Sequence, residues 1–344
     1  MKVALFGYRR SGKTTLLQAL SGLERTGEVV SVGVPDRRLD ALALDVAAKK
    51  KTPVSLEIHD DAVGMPEGGG KGEFPESLRK AELVVIVLRE FSDPSVPWHA
   101  EPNPARDYDA ILTEMIVADL ERIERRLERL AKEPNAKKPG TAEYLQATLF
   151  ERMKPELEAG RPISAVAMVE AETAVAHSFQ FLTDKPFVLV VNADEGQVEP
   201  TPWERSLAEA GVSVVRLCAV LERDLAGMSE EERREFIEAL GLKETARDRL
   251  VRAVYETLDL VTFYTAGEKD TRAWPLRKGA TAWKAADTIH SDIARGFIRA
   301  EVVSYADFEA LGSVKECYRQ GRMRLEGKEY VVQDGDILHI RHKS

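Results

Sequence analysis

Apolar and polar positions divide this 344-residue chain into stretches of different period. Lys2 to Phe6 is a strand-like run, followed by a glycine-bounded loop, Gly7 to Gly12, and a helical stretch, Lys13 to Leu20. Val54 to Ile58 alternates and ends at His59-Asp60. Leu83 to Leu88, LVVIVL, is continuously apolar, as expected of a parallel strand covered on both faces. Phe187 to Val191 repeats that signature, and Val212 to Leu217 is a weaker copy interrupted by Ser213 and Arg216. Five such strands with helical stretches between them predict an α/β fold built on a mostly parallel sheet.

From about 108 to 180 the period changes. Leu112, Ile116, Leu120, Ile123, Leu127 and Leu130 recur at spacings of four and three, predicting one long amphipathic helix. Pro134 to Gly140 reads as a turn, about 141 to 159 as a second helix, and Ile163 to Phe181 as a third apolar-rich stretch. The stripe reads as an intramolecular helical hairpin, with a partner-binding coiled coil as the alternative. Ser229 and Glu232 make a capping-box pair for a helix to Leu240, and Ala246 to Leu258 is a further helix. Past Asp259, short runs separated by glycine and aspartate turns predict a small mixed or antiparallel module of about 80 residues. Phe263, Trp274, Ile289, Phe297, Val302, Val332 and Ile340 are its candidate core.

Composition narrows the class. The chain is 44% hydrophobic and 31% charged, an ordinary soluble balance, and holds no apolar run of about 18 residues to span a membrane. Cys218 and Cys317 are too few for a disulfide framework or a metal cluster. The strand starting at Lys2 leaves no room for a secretory signal, so a cytoplasmic location is expected. The net charge of −9 divides into +2 over residues 261–344 and −11 elsewhere. That acidic bulk argues against wrapping free DNA, whose phosphates need local positive charge. A monomer with neither DNA nor membrane partners is the expectation.

The candidate chemistry starts at Gly7-Tyr-Arg-Arg-Ser-Gly12-Lys13-Thr14, which matches G-x-x-x-x-G-K-[ST] without a mismatch, between a strand and a helix. Gly7, Arg9, Arg10, Ser11 and Gly12, with Lys13, Thr14 and Thr15 opening the helix, are the expected phosphate cradle. Lys13 would reach the β and γ oxygens of ATP or GTP, and the Thr14 hydroxyl would bind Mg²⁺. Asp60 is the candidate second group for Mg²⁺, with Asp61 its competitor, and a strand-end turn is the plainer role for either. Gly68 to Gly72 suits a nucleotide-dependent switch or a surface excursion. After the strand 187–191 comes Asn192-Ala193-Asp194-Glu195, where base-reading loops lie in sheets of this kind. A guanine reader offers N-K-x-D; Ala193 and Glu195 depart from it, which favours ATP over GTP. Cys218 reads as a small apolar wall residue.

Several segments together resemble the YchF/Obg-like ATPase subfamily of the Obg-related P-loop proteins. They are the phosphate loop, Val34-Pro-Asp-Arg-Arg-Leu-Asp40, Asn192 to Glu195 and Cys218-Ala-Val-Leu-Glu222. Phe263-Tyr-Thr-Ala-Gly267, Arg272-Ala-Trp274, Gly296-Phe-Ile-Arg-Ala-Glu301 and Val332-Gln-Asp-Gly-Asp336 resemble the subfamily's terminal TGS domain. The resemblance implies a P-loop NTPase G domain over 1–107 and 181–260, an inserted helical or coiled-coil domain over 108–180, and a β-grasp TGS domain over 261–344. It implies a ribosome-associated protein that binds ATP with Mg²⁺, hydrolyses it slowly, and meets the ribosome or its RNA and proteins. Asn192, Ala193, Glu195, Cys218, Ala219 and Val220 would border the base, and Arg125, Arg126, Arg129 and Lys132 are candidate RNA-backbone contacts. A solvated helix face is the alternative for those four. In place of a water-positioning glutamine the subfamily uses a histidine on a nearby loop; here Phe91 to Ala100 offers His99, which with Lys13 is the catalytic candidate, a surface or packing histidine being the alternative.

Four departures lie near this chemistry. The first switch is short, Leu23 to Val32, with Thr26 its one threonine. Val63 stands in place of the glycine of D-x-A-G, and the glycine-rich segment keeps only Lys71-Gly-Glu73 of its pattern. Arg10 replaces an asparagine associated with monovalent-cation use. These changes bear on turnover more than on binding. A GTPase and a non-hydrolysing ribosome or RNA adaptor remain as alternatives, and a metabolic P-loop kinase is a weaker one.

Overall fold

The structure, a computed structural model, describes residues 1–22, 29–60, 64–65, 74–98, 100–197, 199–239 and 244–343. Thr26, Asp61, Val63, the segment 68–73 and the catalytic candidate His99 lie outside the described residues. Twelve strands are named in chain order: β1 (Lys2–Phe6), β2 (Val29–Gly33), β3 (Lys51–Thr52), β4 (Ser55–His59), β5 (Leu83–Arg89), β6 (Phe187–Asn192), β7 (Ser213–Leu217), β8 (Leu260–Thr265), β9 (Thr271–Arg277), β10 (Phe297–Val303), β11 (Arg324–Glu326) and β12 (Ile337–His342). The chain divides into two compact units, one of Met1–Ser31 and Glu57–Val254, the other of Val32–Leu56 and Tyr255–Ser344.

The first sheet has the order β2-β4-β1-β5-β6-β7. Its pairings from β4 through β7 are all parallel. All seven residues of β5 are buried, as its unbroken apolar run requires. Each fully covered Val, Leu or Ile contributes about 1.5–3 kcal/mol, which makes the centre of this sheet its firmest part. The expected five strands are present, and β2 is a sixth. Its sequence VVSVG buries only Val30 and Val32, so it carries a weak signal. The chain adds β4 on one side of β1 and then β5 on the other, and where the strand order reverses in this way a crevice opens at the carboxyl ends of the strands. The phosphate loop starts there.

The helical insert opens with Pro104–Leu130, whose Asn103 side chain caps the Arg106 N–H while Pro104 occupies the first turn. Ala142–Glu158 returns against it, and Glu170–Phe179 packs on Ala142–Glu158. Ile116, Ile123, Leu149, Phe150, Met153, Leu157, Ile163, Ala176 and Phe181 form a core internal to the hairpin, so the apolar stripe is satisfied within the chain. Asp119, fully buried on the long helix, accepts the N–H groups of Leu182 (3.0 Å) and Thr183 (2.8 Å) and the Thr183 hydroxyl (2.9 Å). That carboxylate pins the hairpin to the segment leading into β6. Arg126 is occupied inside the hairpin by Gln146 and Glu133, and Arg125 by Glu121. Arg129 and Lys132 are exposed.

The second unit carries the sheet β11-β10-β12-β8-β9-β3. Phe263, Phe297, Val302 and Val332 lie in its core, with Trp274, Ile289 and Ile340 packed against them, as the sequence predicts. The helices Ala282–Ile289, Ser291–Arg295, Tyr305–Leu311 and Val314–Arg319 are additions to that reading. At eight residues or fewer they are too short to show a period, and the first buries only alanines, Ala282, Ala285 and Ala286. The early segment 32–56 also belongs to this unit. Its β3 pairs with β9, Asp36 caps the helix Arg37–Asp45 and accepts the Tyr264 hydroxyl, and Arg38 meets Asp334 at 2.6 Å.

Candidate nucleotide-binding site

The phosphate loop leaves β1 and enters the helix Lys13–Ser21. Gly12 caps that helix in a left-handed conformation (φ 96°), without a side-chain cap and without an acidic residue in the first turn. The first N–H groups and the positive end of the helix dipole are therefore left for an anion. A Cβ at Gly12 would collide with the Asn192 amide, so this position needs glycine on two counts. Ser11 is buried with its hydroxyl lacking a hydrogen-bond partner among the described residues, while Arg9 and Arg10 are exposed. Arg10 has a left-handed backbone (φ 65°), a region in which asparagine is several-fold enriched, and its guanidinium donates to the Pro97 carbonyl at 3.3 Å.

Lys13 is buried, and its Nζ donates to the carbonyls of Gly7 (3.2 Å) and Tyr8 (2.9 Å). Burial pushes its pKa below the usual lysine range, and Asp60 pulls it partly back. Phosphate oxygens would give this ammonium a stronger partner than two carbonyls. Thr14 donates its hydroxyl to Asp60 Oδ2 at 3.0 Å, and Thr15 follows half-buried. The other oxygen, Asp60 Oδ1, is buried without a hydrogen-bond partner among the described residues. The donor set suits a hydrated Mg²⁺: a hydroxyl can ligate through its lone pair while donating its proton to a carboxylate, and the free oxygen can accept from a metal-bound water. Mg²⁺ held there would neutralise phosphate charge.

The sequence reading missed Gly64. Met65 N–H donates to the Gly7 carbonyl (3.2 Å) and Arg9 N–H to Met65 (3.4 Å), so residues 64–65 run along the phosphate loop. A Cβ at Gly64 would lie 2.7 Å from Gly7 O, 2.9 Å from Lys13 Nζ and 3.0 Å from Arg9 N. Gly64 therefore lies against the phosphate loop with no room for a side chain.

Asn192 ties three loops together. Its Nδ2 donates to the Ser11 carbonyl (3.1 Å) and its Oδ1 accepts the Ala219 N–H (2.9 Å). Ala193 is buried and donates its N–H to Leu217, Asp194 accepts the Ser92 N–H, and Glu195 is exposed. Cys218 is half-buried at the start of the helix Ala219–Ala226; Ala219 is buried and Val220 exposed. Glu222, from the same motif, caps the helix Ala246–Thr257 through the N–H groups of Ala246 and Arg247. Arg216, which in the sequence only interrupts a strand, is buried between Glu204 and Glu90 and donates to the Gln197 carbonyl, bracing the loop that follows β6.

Residues 260–343 match the family model YchF-GTPase_C, described as "Protein of unknown function (DUF933)". The chain is 37% identical to the "Ribosome-binding ATPase YchF" of Haemophilus ducreyi, over 99% of this chain and 98% of that protein. It is 35% identical to the protein of the same name from Bacillus subtilis, covering 99% of each. Among solved structures, the Schizosaccharomyces pombe YchF GTPase superposes with a TM-score of 0.84 at 24% identity, covering 99% of this chain and 97% of that one. Among the described residues no helix is long and apolar enough to cross a membrane. With full-length similarity, a P-loop fold and a matching C-terminal module, the chain belongs to the YchF family of P-loop NTP hydrolases, as a divergent member with a TGS-like C-terminal domain.

Proposed function

We propose that this chain binds ATP with Mg²⁺ through residues 7–15, hydrolyses it slowly, and uses its nucleotide state to govern binding to the ribosome. The observation that carries the reading is the arrangement of Lys13 with the Thr14–Asp60 pair, whose buried Oδ1 awaits a partner. ATP is preferred over GTP in this reading for two reasons. The base loop lacks the lysine and final aspartate of N-K-x-D, and its one aspartate, Asp194, is committed to the Ser92 N–H. The ribosome as partner is carried over from the relatives named above.

In the hydrolytic step, Lys13 stabilises charge developing on the β–γ bridge and the γ-phosphoryl oxygens. The N–H groups at the helix start and that of Gly64 hold the phosphates in place, and His99 is the candidate to orient the attacking water. Phosphate release from ATP and GTP, with and without Mg²⁺ and with added ribosomes, tests the proposal. Mg²⁺-dependent ATP turnover that falls at least about 100-fold in Lys13→Ala is expected, on the scale of one lost transition-state contact. Equal release by Lys13→Ala would assign the activity to a contaminant. Ribosome binding with no turnover by the unaltered chain would favour the adaptor.

A further inference from the structure

Arg89 ends β5 and is 2% exposed. A buried guanidinium is costly unless its donors are met, and here backbone carbonyls of one loop accept from two of its three nitrogens. Nε donates to the Phe91 carbonyl (3.1 Å), and Nη2 to those of Val96 (3.0 Å) and Asp93 (3.5 Å). The cation lies 4.1 Å from the Phe91 ring centroid and 4.9 Å from that of Trp98. Residues 91–98 thus wrap round one side chain.

The same loop reaches both halves of the nucleotide site. At one end the Phe91 N–H donates to the Asn192 carbonyl (3.1 Å), and the Ser92 N–H meets both oxygens of Asp194 (3.3 and 3.1 Å). At the other end Pro97 accepts from Arg10 (3.3 Å), and Trp98 packs edge-on against Tyr8 with centroids 6.0 Å apart. We propose that Arg89 is a positioning residue that holds 91–98 as a strap between the phosphate loop and the base loop, so that nucleotide affinity and base choice depend on it. This rests on the nucleotide-binding reading above. Arg89 acts through backbone carbonyls and ring faces, which carry no sequence signature of their own. Lysine cannot replace it, because an ammonium lacks the planar fork and the stacking face.

The test is calorimetric titration of ATP–Mg²⁺ and GTP–Mg²⁺ into the full chain and into Arg89→Lys and Asp194→Ala, with melting curves for each. Arg89→Lys keeps the charge, and Asp194→Ala cuts the strap at its base-loop end. Both variants are expected to lose about tenfold in ATP affinity, the worth of one charge-assisted hydrogen bond, and to narrow the ATP-to-GTP ratio. Affinities and ratio within twofold of the unaltered chain, whatever the melting temperature, would overturn the strap. If Arg89→Lys does not fold, Asp194→Ala decides alone by the same criterion. An unaltered chain that binds neither nucleotide would instead bring down the nucleotide-binding reading on which the strap rests.

Discussion

Gly64→Ala adds one methyl group where the phosphate loop has no room for it. The Cβ would sit 2.7 Å from Gly7 O, 2.9 Å from Lys13 Nζ and 3.0 Å from Arg9 N, against about 3.4 Å or more for ordinary contact. The lysine tip can swing aside. The other two atoms are backbone and carry the hydrogen bonds between Met65 and the loop, so the loop itself has to open. Overpacking of this kind costs about 1–3 kcal/mol. A loop opened by that strain no longer presents its N–H groups and Lys13 together, and the same energy appears as a loss of about 5- to 150-fold in nucleotide affinity. Calorimetry with ATP–Mg²⁺, alongside urea midpoints, measures both effects. Unchanged ATP affinity in a folded Gly64→Ala protein would refute the assignment of residues 64–65 to the phosphate cradle.

Asp60→Asn keeps the shape of the Thr14 partner but removes the charge that draws Mg²⁺; ATP titrations at varied Mg²⁺ should show the metal's contribution to affinity falling about tenfold. An unchanged Mg²⁺ dependence would place the metal elsewhere. Asp119→Ala leaves three buried donors without their acceptor and should lower the unfolding free energy by about 3 kcal/mol, read from urea midpoints with an unchanged slope. A loss below about 1 kcal/mol would mean that those donors find other partners. In the second unit, Tyr264→Phe removes a buried hydroxyl–carboxylate bond to Asp36 and should cost about 1.5–3 kcal/mol, read from a denaturant curve; no loss would show that Arg38 alone satisfies Asp36.

Much of the first sheet was legible because strands buried on both faces leave long apolar runs: β5 and β6 stand out from the sequence for that reason. The phosphate loop was legible because its backbone geometry fixes glycines, lysine and threonine at set spacings. Gly64 was hidden because the D-x-A-G pattern draws attention to position 63, one residue earlier, and only backbone proximity shows that Gly64 lies against the phosphate loop. The segment 34–40 reads as a motif, but its membership of the second unit depends on the remote pairs Asp36–Tyr264 and Arg38–Asp334. Arg89 reads as the charged end of an apolar strand. Its partners are carbonyl oxygens, which every residue has, so no pattern of side chains announces them.

Calorimetric titration of ATP and of GTP, each with Mg²⁺, into the nucleotide-free full chain bears hardest on the phosphate-site assignment. A saturable one-to-one ATP isotherm, weaker for GTP and abolished in Lys13→Ala, is the expected result. No heat from either nucleotide, or matching isotherms from the unaltered chain and Lys13→Ala, would contradict it.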